Sequence, residues 1–253
     1  MPNTNDRVTL APHRNRPTKV AKFLNTWRSN GAISALRDVK DVLIGPIYRR
    51  IDRNFDRKYN VDTYQTASLA NLTVESKWFN RTNDKREYAS TDFMTFKGMM
   101  SLMPKDLSEY VFIDIGSGKG KVLLMASDYN FRRIIGVEFA KELHAVAERN
   151  IKMYSKRNRR CYHIDAIMGD AVDFLIPNEK CVFYLFHPFM GSEDLMARVL
   201  SNIADSYAAN PRKMYCLYLN PRHSDTFKVL DFMRVVERRR FASRTAIIYE
   251  SVI

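Results

Sequence analysis

A glycine-rich loop behind an apolar run is the part of this sequence best suited to chemistry. The run Val111-Phe-Ile-Asp-Ile leads directly into Gly116-Ser-Gly-Lys-Gly120, and a helical pattern begins behind it. Glycines permit a tight turn with positive φ, and they let a ligand approach the backbone more closely than a β-carbon would allow. The sequence therefore predicts a ligand site at Gly116, Ser117, Gly118 and Gly120.

An acid, Asp114, stands two residues before the first glycine of this loop, and the final spacing is G-x-G. A dinucleotide fingerprint instead ends in G-x-x-G. A carboxylate at this place repels a pyrophosphate, but it accepts hydrogen bonds from an ammonium group, directly or through water. The loop therefore favours a ligand with an aminoacyl group over a dinucleotide.

Two further acids follow the next two predicted strands. Glu138 ends the strand after the glycine loop, where an acid can accept both hydroxyls of a ribose. Asp170 and Ala171 follow the strand after that, where the carboxylate can receive the exocyclic amine of an adenine and the backbone can serve a ring nitrogen. All of these positions are carboxyl ends of strands, the edge where open α/β sheets bind ligands.

The elements that must position these residues alternate between strands and helices. Predicted strands are Tyr110–Ile115, Arg133–Phe139, Tyr162–Met168, Cys181–Phe186 and Lys213–Leu219, and predicted helices are Lys119–Asp128, Lys141–Arg157, Ser192–Ala208 and Ser224–Phe232. Two β-prone stretches, Met233–Phe241 and Arg244–Val252, have no helix between them and predict an antiparallel hairpin. The fold class is therefore α/β, a Rossmann-like seven-stranded, mostly parallel sheet with an antiparallel C-terminal strand pair.

The region before residue 88 differs from the rest and predicts a basic arm with a helical and irregular extension. The whole chain of 253 residues has a formal charge of +13, and residues 1–60 contribute 13 basic and 5 acidic side chains to it. An apolar stripe from Leu36 to Phe55 predicts a helix, with a break or kink at Gly45-Pro46. We therefore divide the chain into residues 1–87 and a ligand-binding domain of residues 88–253.

A helix begins near Thr91, which is a plausible N-cap, and its apolar face reaches Met103. Lys119, inside the glycine loop, can contact a substrate, although a solvated lysine is the default expectation. The three cysteines are isolated from one another, so neither a disulfide framework nor a metal site is expected. No apolar run is long enough to span a bilayer, and we expect a cytoplasmic protein.

With these residues in view, residues 88–253 resemble the class I S-adenosylmethionine-dependent methyltransferases. More narrowly, FDRKYNVDT, DIGSGKGK, RRIIGVEF and YLFHPF are similar to a bacterial group of that class whose substrates are mostly unassigned, and a weaker similarity extends to the non-SET histone-lysine methyltransferases. The resemblance implies S-adenosylmethionine as cofactor. It also implies that Tyr88 and Thr91 close over the aminoacyl end of that cofactor; the alternatives are an aromatic core contact and a helix cap.

The loop after the fourth strand reads His187-Pro188-Phe189, and by the resemblance it faces the transferable methyl group. Related enzymes carry asparagine in place of His187. A neutral histidine can hold a target amine as an acceptor, can remove a proton as a general base, or can simply cap the strand. Phe189 can stack on a planar substrate or wall the pocket.

The leading hypothesis is a methyltransferase acting on an unidentified acceptor, which is an amine of a protein, a nucleic acid or a small molecule. The alternative is a basic nucleic-acid-binding protein with a vestigial or regulatory cofactor site, suggested by the N-terminal charge and by Arg238-Arg-Arg240. Aminopropyl transfer and binding to anionic lipid are weaker alternatives. The sequence does not indicate an oligomeric state.

Overall fold

The computed structural model describes residues 45–64, 72–74, 88–155, 159–186, 189, 192–241 and 244–253. Residues 45–253 form one compact unit. Within the described ranges, no helix combines the length and the apolar character needed to cross a membrane.

Seven strands form a single sheet in the order β3-β2-β1-β4-β5-β7-β6. Their bounds are β1 Tyr110–Ile115, β2 Arg133–Glu138, β3 Ile164–Met168, β4 Lys180–Phe186, β5 Met214–Leu219, β6 Met233–Phe241 and β7 Arg244–Ser251. The first five strands pair in parallel, and β7 joins β5 and β6 in antiparallel pairs. The predicted fold class, including the antiparallel closing pair, is confirmed.

Helices cover both faces of the sheet. They are α1 at 45–59, α2 Phe93–Met100, α3 Lys121–Ala126, α4 Lys141–Met153 and α5 Glu193–Ala209, with a 3-10 helix at Ser224–Val229. One core cluster joins the sheet to residues of α1, α2 and α3, and the other joins the opposite face to α5 and the 3-10 helix. Both faces are therefore buried, which is why the central strands read as nearly continuous apolar runs.

Side-chain alternation along β1 places its one charged residue on a defined face. Val111, Ile113 and Ile115 belong to the cluster on the α5 side, whereas Phe112 belongs to the cluster on the α3 side. Because successive side chains of a strand point to opposite faces, Asp114 lies on the same face as Phe112. The acid therefore lies among the residues of the α3 side.

Most predicted boundaries agree with the structure to within two residues, and the larger differences have local causes. Lys119 and Gly120 are not helical, because Gly120 is the left-handed N-cap of α3. The predicted helix Lys141–Arg157 ends at Met153, with Tyr154 in an extended conformation as its C-cap. The helix predicted at Ser224–Phe232 is a short 3-10 helix.

The N-terminal helical prediction is described only in part. Residues up to 44, including the basic arm and most of the predicted stripe, lie outside the described residues, and the predicted break at Gly45-Pro46 falls at their limit. From there α1 packs on the sheet domain. Phe55 is 7% exposed and belongs to the α3-side core, so the end of the predicted extension contributes to the core of the ligand-binding unit.

Candidate functional site

The glycine loop lies at the point where the strand order reverses, between β1 and β4, after the carboxyl end of β1. Gly116, Gly118 and Gly120 have φ values of 79°, 55° and 79°, all in the left-handed region that favours glycine. The backbone N–H groups of Gly116 and Ser117 both donate to the carbonyl of Val137, at 2.9 and 3.0 Å. The loop is thus fixed to the end of β2. In open α/β sheets, a crevice at such a reversal is the usual ligand site.

Gly118 leaves room for the ring of Tyr88. A β-carbon at position 118 would lie 2.2 Å from Cε2 of Tyr88, closer than any packing allows. The Tyr88 hydroxyl donates to the carbonyl of Thr63 at 3.2 Å. Tyr88 therefore lies over the glycine loop, and its hydroxyl contacts the segment that follows α1. The closure of Tyr88 over a cofactor stays a prediction.

Glu138 is 3% exposed and bonds to the backbone of the glycine loop and of the segment after β2. One carboxylate oxygen accepts from the N–H of Gly118 at 2.7 Å, and the other accepts from the N–H of Ala140 at 2.9 Å. Burial raises the pKa of Glu138 to about 7, although these hydrogen bonds act in the opposite direction. The predicted ribose acid therefore also organises the loop.

Asp114 is also 3% exposed. Burial raises its pKa well above the ordinary value, and the charge of Glu138 adds to the rise. Within the described part of the chain, no group donates a hydrogen bond to this carboxylate. The two buried acids thus lie close enough for the charge of Glu138 to raise the pKa of Asp114, and a cationic ligand group beside Asp114 would stabilise its ionised form.

Ser117 is a buried polar residue of the same loop, 6% exposed. Its hydroxyl oxygen has no hydrogen-bond partner among the described residues. The side chain lies under β2, where a β-carbon on Gly136 would come within 2.8 Å of it. The Ser117 side chain therefore packs against β2, and the absence of a β-carbon at Gly136 makes room for it.

The structure places Asp170 and Ala171 at the same sheet edge but shows a local role for each. The Asp170 carboxylate accepts from the N–H of Val172 at 2.9 Å, which closes a turn after β3. Ala171 packs partly against the α5-side core. The turn is joined to the crevice by the hydrogen bond from Gly169 N–H to the carbonyl of Glu138, at 3.0 Å. The predicted adenine contacts stay predictions.

The prediction that Thr91 caps α2 is wrong, because Asp92 is the N-cap. Asp92 accepts from the N–H of Thr95 at 2.8 Å. Thr91, 2% exposed, lies with its hydroxyl 2.6 Å from that of Tyr184 on β4, the strand position paired with Asp114. Thr91 thus joins the segment before α2 to the centre of the sheet.

Three site residues were missed or misjudged from sequence: Asp62, Lys119 and Asn150. Lys119 is 6% exposed rather than solvated, and its Nζ lies 3.0 Å from a carboxylate oxygen of Asp62. Asn150, on α4, bonds both Asp62 and Lys119. The motif FDRKYNVDT contains Asp62, so the resemblance marked the segment but not its contact with the glycine loop.

The loop after β4, which the resemblance assigns to the methyl acceptor, is described only in part. His187 and Pro188 lie outside the described residues. Phe189 is half-buried, packs partly against the α5-side core and accepts from the N–H of Ser192 at 2.9 Å. At the end of β4, the guanidinium of Arg244 lies 4.6 Å from the ring centroid of Phe186. The described contacts of Phe189 are packing contacts, and its stacking role stays a prediction.

The arginines that suggested nucleic-acid binding, Arg238, Arg239 and Arg240, are exposed on β6 at the edge of the sheet. Charged side chains are common on edge strands, where they discourage pairing with other chains. Their position therefore has an explanation that needs no nucleic acid.

The chain is similar to known proteins over part of its length. Residues 75–171 match the family model described as "Histone methylation protein DOT1", a span of less than half of the chain. No curated protein matches. The resemblance to class I S-adenosylmethionine-dependent methyltransferases is confirmed, and the match supports methylation with that cofactor in general without identifying an acceptor.

Solved structures with a similar fold include three with a TM-score of 0.47. The pyocyanin biosynthetic protein PhzM is 14% identical, over 63% of this chain and 55% of that chain. An RNA methyltransferase from Salinibacter ruber, in complex with S-adenosyl-L-homocysteine, is 14% identical over 64% of this chain and 94% of that chain. The N-methyltransferase NodS from Bradyrhizobium japonicum WM9 is 12% identical over the same shares, 64% and 94%. These similarities do not indicate a substrate for this protein.

Proposed function

We propose that this protein is an S-adenosylmethionine-dependent methyltransferase. The observation that carries the proposal is the pair of buried acids, Asp114 and Glu138, beside a glycine loop with three left-handed residues. Burial makes both carboxylates difficult to ionise, and a positively charged ligand is the group that best stabilises their ionised forms.

The residues at the crevice fit this cofactor. Asp114 can accept from the ammonium of the aminoacyl group, and Glu138 can accept from the ribose hydroxyls. Gly116 is exposed and has no β-carbon, so the cofactor can approach the backbone there, whereas Gly118 and Gly120 make room for Tyr88 and Ala147. Tyr88 covers the loop and excludes water from it.

When bound, the cofactor supplies a methyl group on a sulfonium, which already activates it for transfer. The chain then has to align the acceptor with that group and to keep water out, and it needs little acid–base machinery of its own. Thr91 and Tyr184 hold the segment before α2 against the sheet, so that the segment can form one wall of the acceptor site. His187 is the residue we assign to the acceptor, as a hydrogen-bond acceptor or base.

Calorimetry on purified, cofactor-stripped protein tests the cofactor assignment. We expect saturable binding of S-adenosylmethionine and S-adenosylhomocysteine, weakened at least tenfold by Asp114→Asn, because the ammonium contact loses its charge. Lys180→Met, which opens the exposed ion pair with Glu109, is the control and leaves binding unchanged. The absence of saturable binding in the unaltered protein would overturn the proposal.

A transfer assay addresses the acceptor. Cell extract is incubated with the protein and with cofactor carrying a tritium-labelled methyl group, and is then fractionated into protein, nucleic acid and small molecules. We expect label in one fraction, and we expect Asp114→Asn to lose it. Comparing His187→Asn with His187→Ala then separates the roles of His187, because asparagine can accept a hydrogen bond but cannot act as a base.

A further inference from the structure

Lys119 lies between two glycines of the loop, and its charge is buried beside the Asp62 carboxylate, with the Tyr88 ring centroid 5.9 Å from Nζ. Its side chain is 7% exposed, and its Nζ lies 3.0 and 3.1 Å from the two carboxylate oxygens of Asp62. An ammonium group so far from water needs a partner of opposite charge. The glycine loop therefore depends on a residue that lies 57 positions earlier in the chain.

Asn150 connects the same two residues through their backbones. Its side-chain oxygen accepts from the N–H of Asp62, and its Nδ2 donates to the carbonyls of Asp62 and Lys119, all at 2.9 Å. Asn150 is 1% exposed, so these bonds are shielded from water. The amide thus holds the segment after α1 in register with the glycine loop.

The segment continues from Asp62 to Thr63, whose carbonyl accepts the hydrogen bond from Tyr88. Tyr88 in turn lies against Gly118, next to Lys119 in the chain. Asp62, Thr63 and Tyr88 therefore form one cover over the loop. The Tyr88 ring lies against Gly118, the backbone N–H of Lys119 hydrogen-bonds Tyr88, and the Lys119 ion pair and the Asn150 amide hold Asp62.

We propose that Asp62 and Lys119 form a latch that holds this cover closed over the cofactor, so that the cofactor enters and leaves when the ion pair opens. The inference rests on the proposed function. The two sides of the pair differ in a way that suits opening: the Asp62 side chain is 37% exposed, whereas that of Lys119 is 7% exposed. Arg149, whose Nη2 lies 3.9 Å from Asp62, offers the carboxylate a second partner at the surface.

Dissociation of S-adenosylhomocysteine, followed by stopped-flow displacement, tests the latch. We expect Asp62→Asn and Lys119→Met each to raise the dissociation rate on the order of tenfold, and the double variant to raise it no further, because both remove the same pair.

The dissociation rate of the unaltered protein should rise with salt, because salt screens the half-exposed ion pair. The double variant lacks this pair, so its dissociation rate should depend less on salt.

Two controls separate a latch from a purely structural contact. Lys180→Met removes an ammonium of similar geometry, 2.6 Å from Glu109, away from the glycine loop, and should leave the dissociation rate unchanged. In the ligand-free protein, hydrogen exchange of the Asp62 and Thr63 amides should accelerate in Asp62→Asn, while the amides of β1 keep their protection.

The outcomes are distinct. If the unaltered protein binds no S-adenosylhomocysteine, the proposed function fails. If it binds and both latch variants release the ligand at the unaltered rate, the latch is wrong although the function stands. A large fall in Tm with unchanged dissociation would also overturn the latch, because it would show that the pair serves folding alone.

Discussion

The carboxylate of Glu138 accepts a hydrogen bond from the backbone N–H of Gly118 at 2.7 Å, so the acid that ends β2 is joined to the loop that follows β1. Ala140 N–H holds the second oxygen at 2.9 Å. Both donors are backbone groups without net charge. Their hydrogen bonds do not fully offset the cost of burying the ionised carboxylate, because the pKa of Glu138 is raised to about 7. A cofactor that favours the ionised acid will therefore bind with a pH dependence near neutrality.

We expect the affinity for S-adenosylmethionine to rise with pH up to about 7 and to level off above it. Below that pH the cofactor has to bind while Glu138 loses a proton, so affinity should change by as much as about tenfold per pH unit. Calorimetry in buffers of different ionisation enthalpy measures both the affinity and the proton released.

The Glu138→Gln variant supplies the control for this dependence, because an amide does not titrate. Its affinity should be lower, and the part of the pH dependence that Glu138 causes should be lost, which leaves the contribution of Asp114, whose pKa burial also raises. A full pH slope in this variant would assign the titration to Asp114 instead.

In the ligand-free protein, the raised pKa of Glu138 means that the folded chain binds a proton that the unfolded chain has lost, between about pH 4.5 and 7. Glu138 should therefore reduce the free energy of unfolding as the pH rises through that window.

Replacement of Gly118 by alanine should damage the site by two routes. The residue has a φ of 55°, which costs a residue with a β-carbon about 1–2 kcal/mol. The new methyl group would also lie 2.2 Å from the Tyr88 ring, so the cover would have to move. We expect a lower free energy of unfolding in urea and a loss of cofactor affinity of at least about tenfold.

Gly169→Ala is the matched control for this change, because a β-carbon there meets no atom within 4 Å. It should leave both quantities nearly unchanged. Adding Tyr88→Ala to Gly118→Ala removes the clash but not the backbone strain, and should restore part of the stability. No recovery would show that the backbone conformation alone is responsible.

The sequence predicted those parts of the site that a single segment determines. The bounds of β1 were predicted correctly, because a strand buried on both faces is a continuous apolar run that ends at a glycine turn. Asp114 and Glu138 lie at the carboxyl ends of β1 and β2, and Asp170 follows β3, so the parallel sheet brings them to one edge.

The missed contacts join segments that are distant in the chain. Asn150 bonds Asp62 across 88 residues, and the segment around Asp62 has no periodicity that would predict its path. The buried Lys119 was misjudged for the same reason, since only its partner makes burial favourable. The cap of α2 was assigned one residue early because Thr91 and Asp92 both suit an N-cap, and Tyr184, 93 residues away, engages the threonine.

The different roles of Thr91 and Asp92 lead to a direct comparison. Asp92→Ala should lower the free energy of unfolding by about 1 kcal/mol, because α2 loses its N-cap. Thr91→Val keeps the shape but leaves the buried Tyr184 hydroxyl without its described partner, which should cost about 1–3 kcal/mol. Urea denaturation measures both. A loss in Asp92→Ala as small as that of a surface substitution would contradict the cap assignment.

A buried ion pair makes α1 part of the ligand-binding unit. Lys121, at the start of α3, is fully buried with its Nζ 2.8 Å from Asp52 of α1, and the same carboxylate accepts from the N–H of Phe93 at 3.0 Å. Asp52→Asn leaves the lysine without a counter-charge, so we expect a loss of about 3–5 kcal/mol in urea denaturation. Glu109→Gln, which opens the exposed pair with Lys180, should cost no more than about 1 kcal/mol.

The double variant Asp52→Asn with Lys121→Met decides why the loss occurs. If the unpaired buried charge is the cause, removing the lysine charge should make the double variant more stable than Asp52→Asn alone. Equal stabilities would instead assign the loss to the hydrogen bond that fixes Phe93 and the start of α2. Both causes operate through α1. A chain that begins at residue 88 lacks Asp52 and the buried ring of Phe55. It should therefore be much less stable than a chain that begins at residue 45.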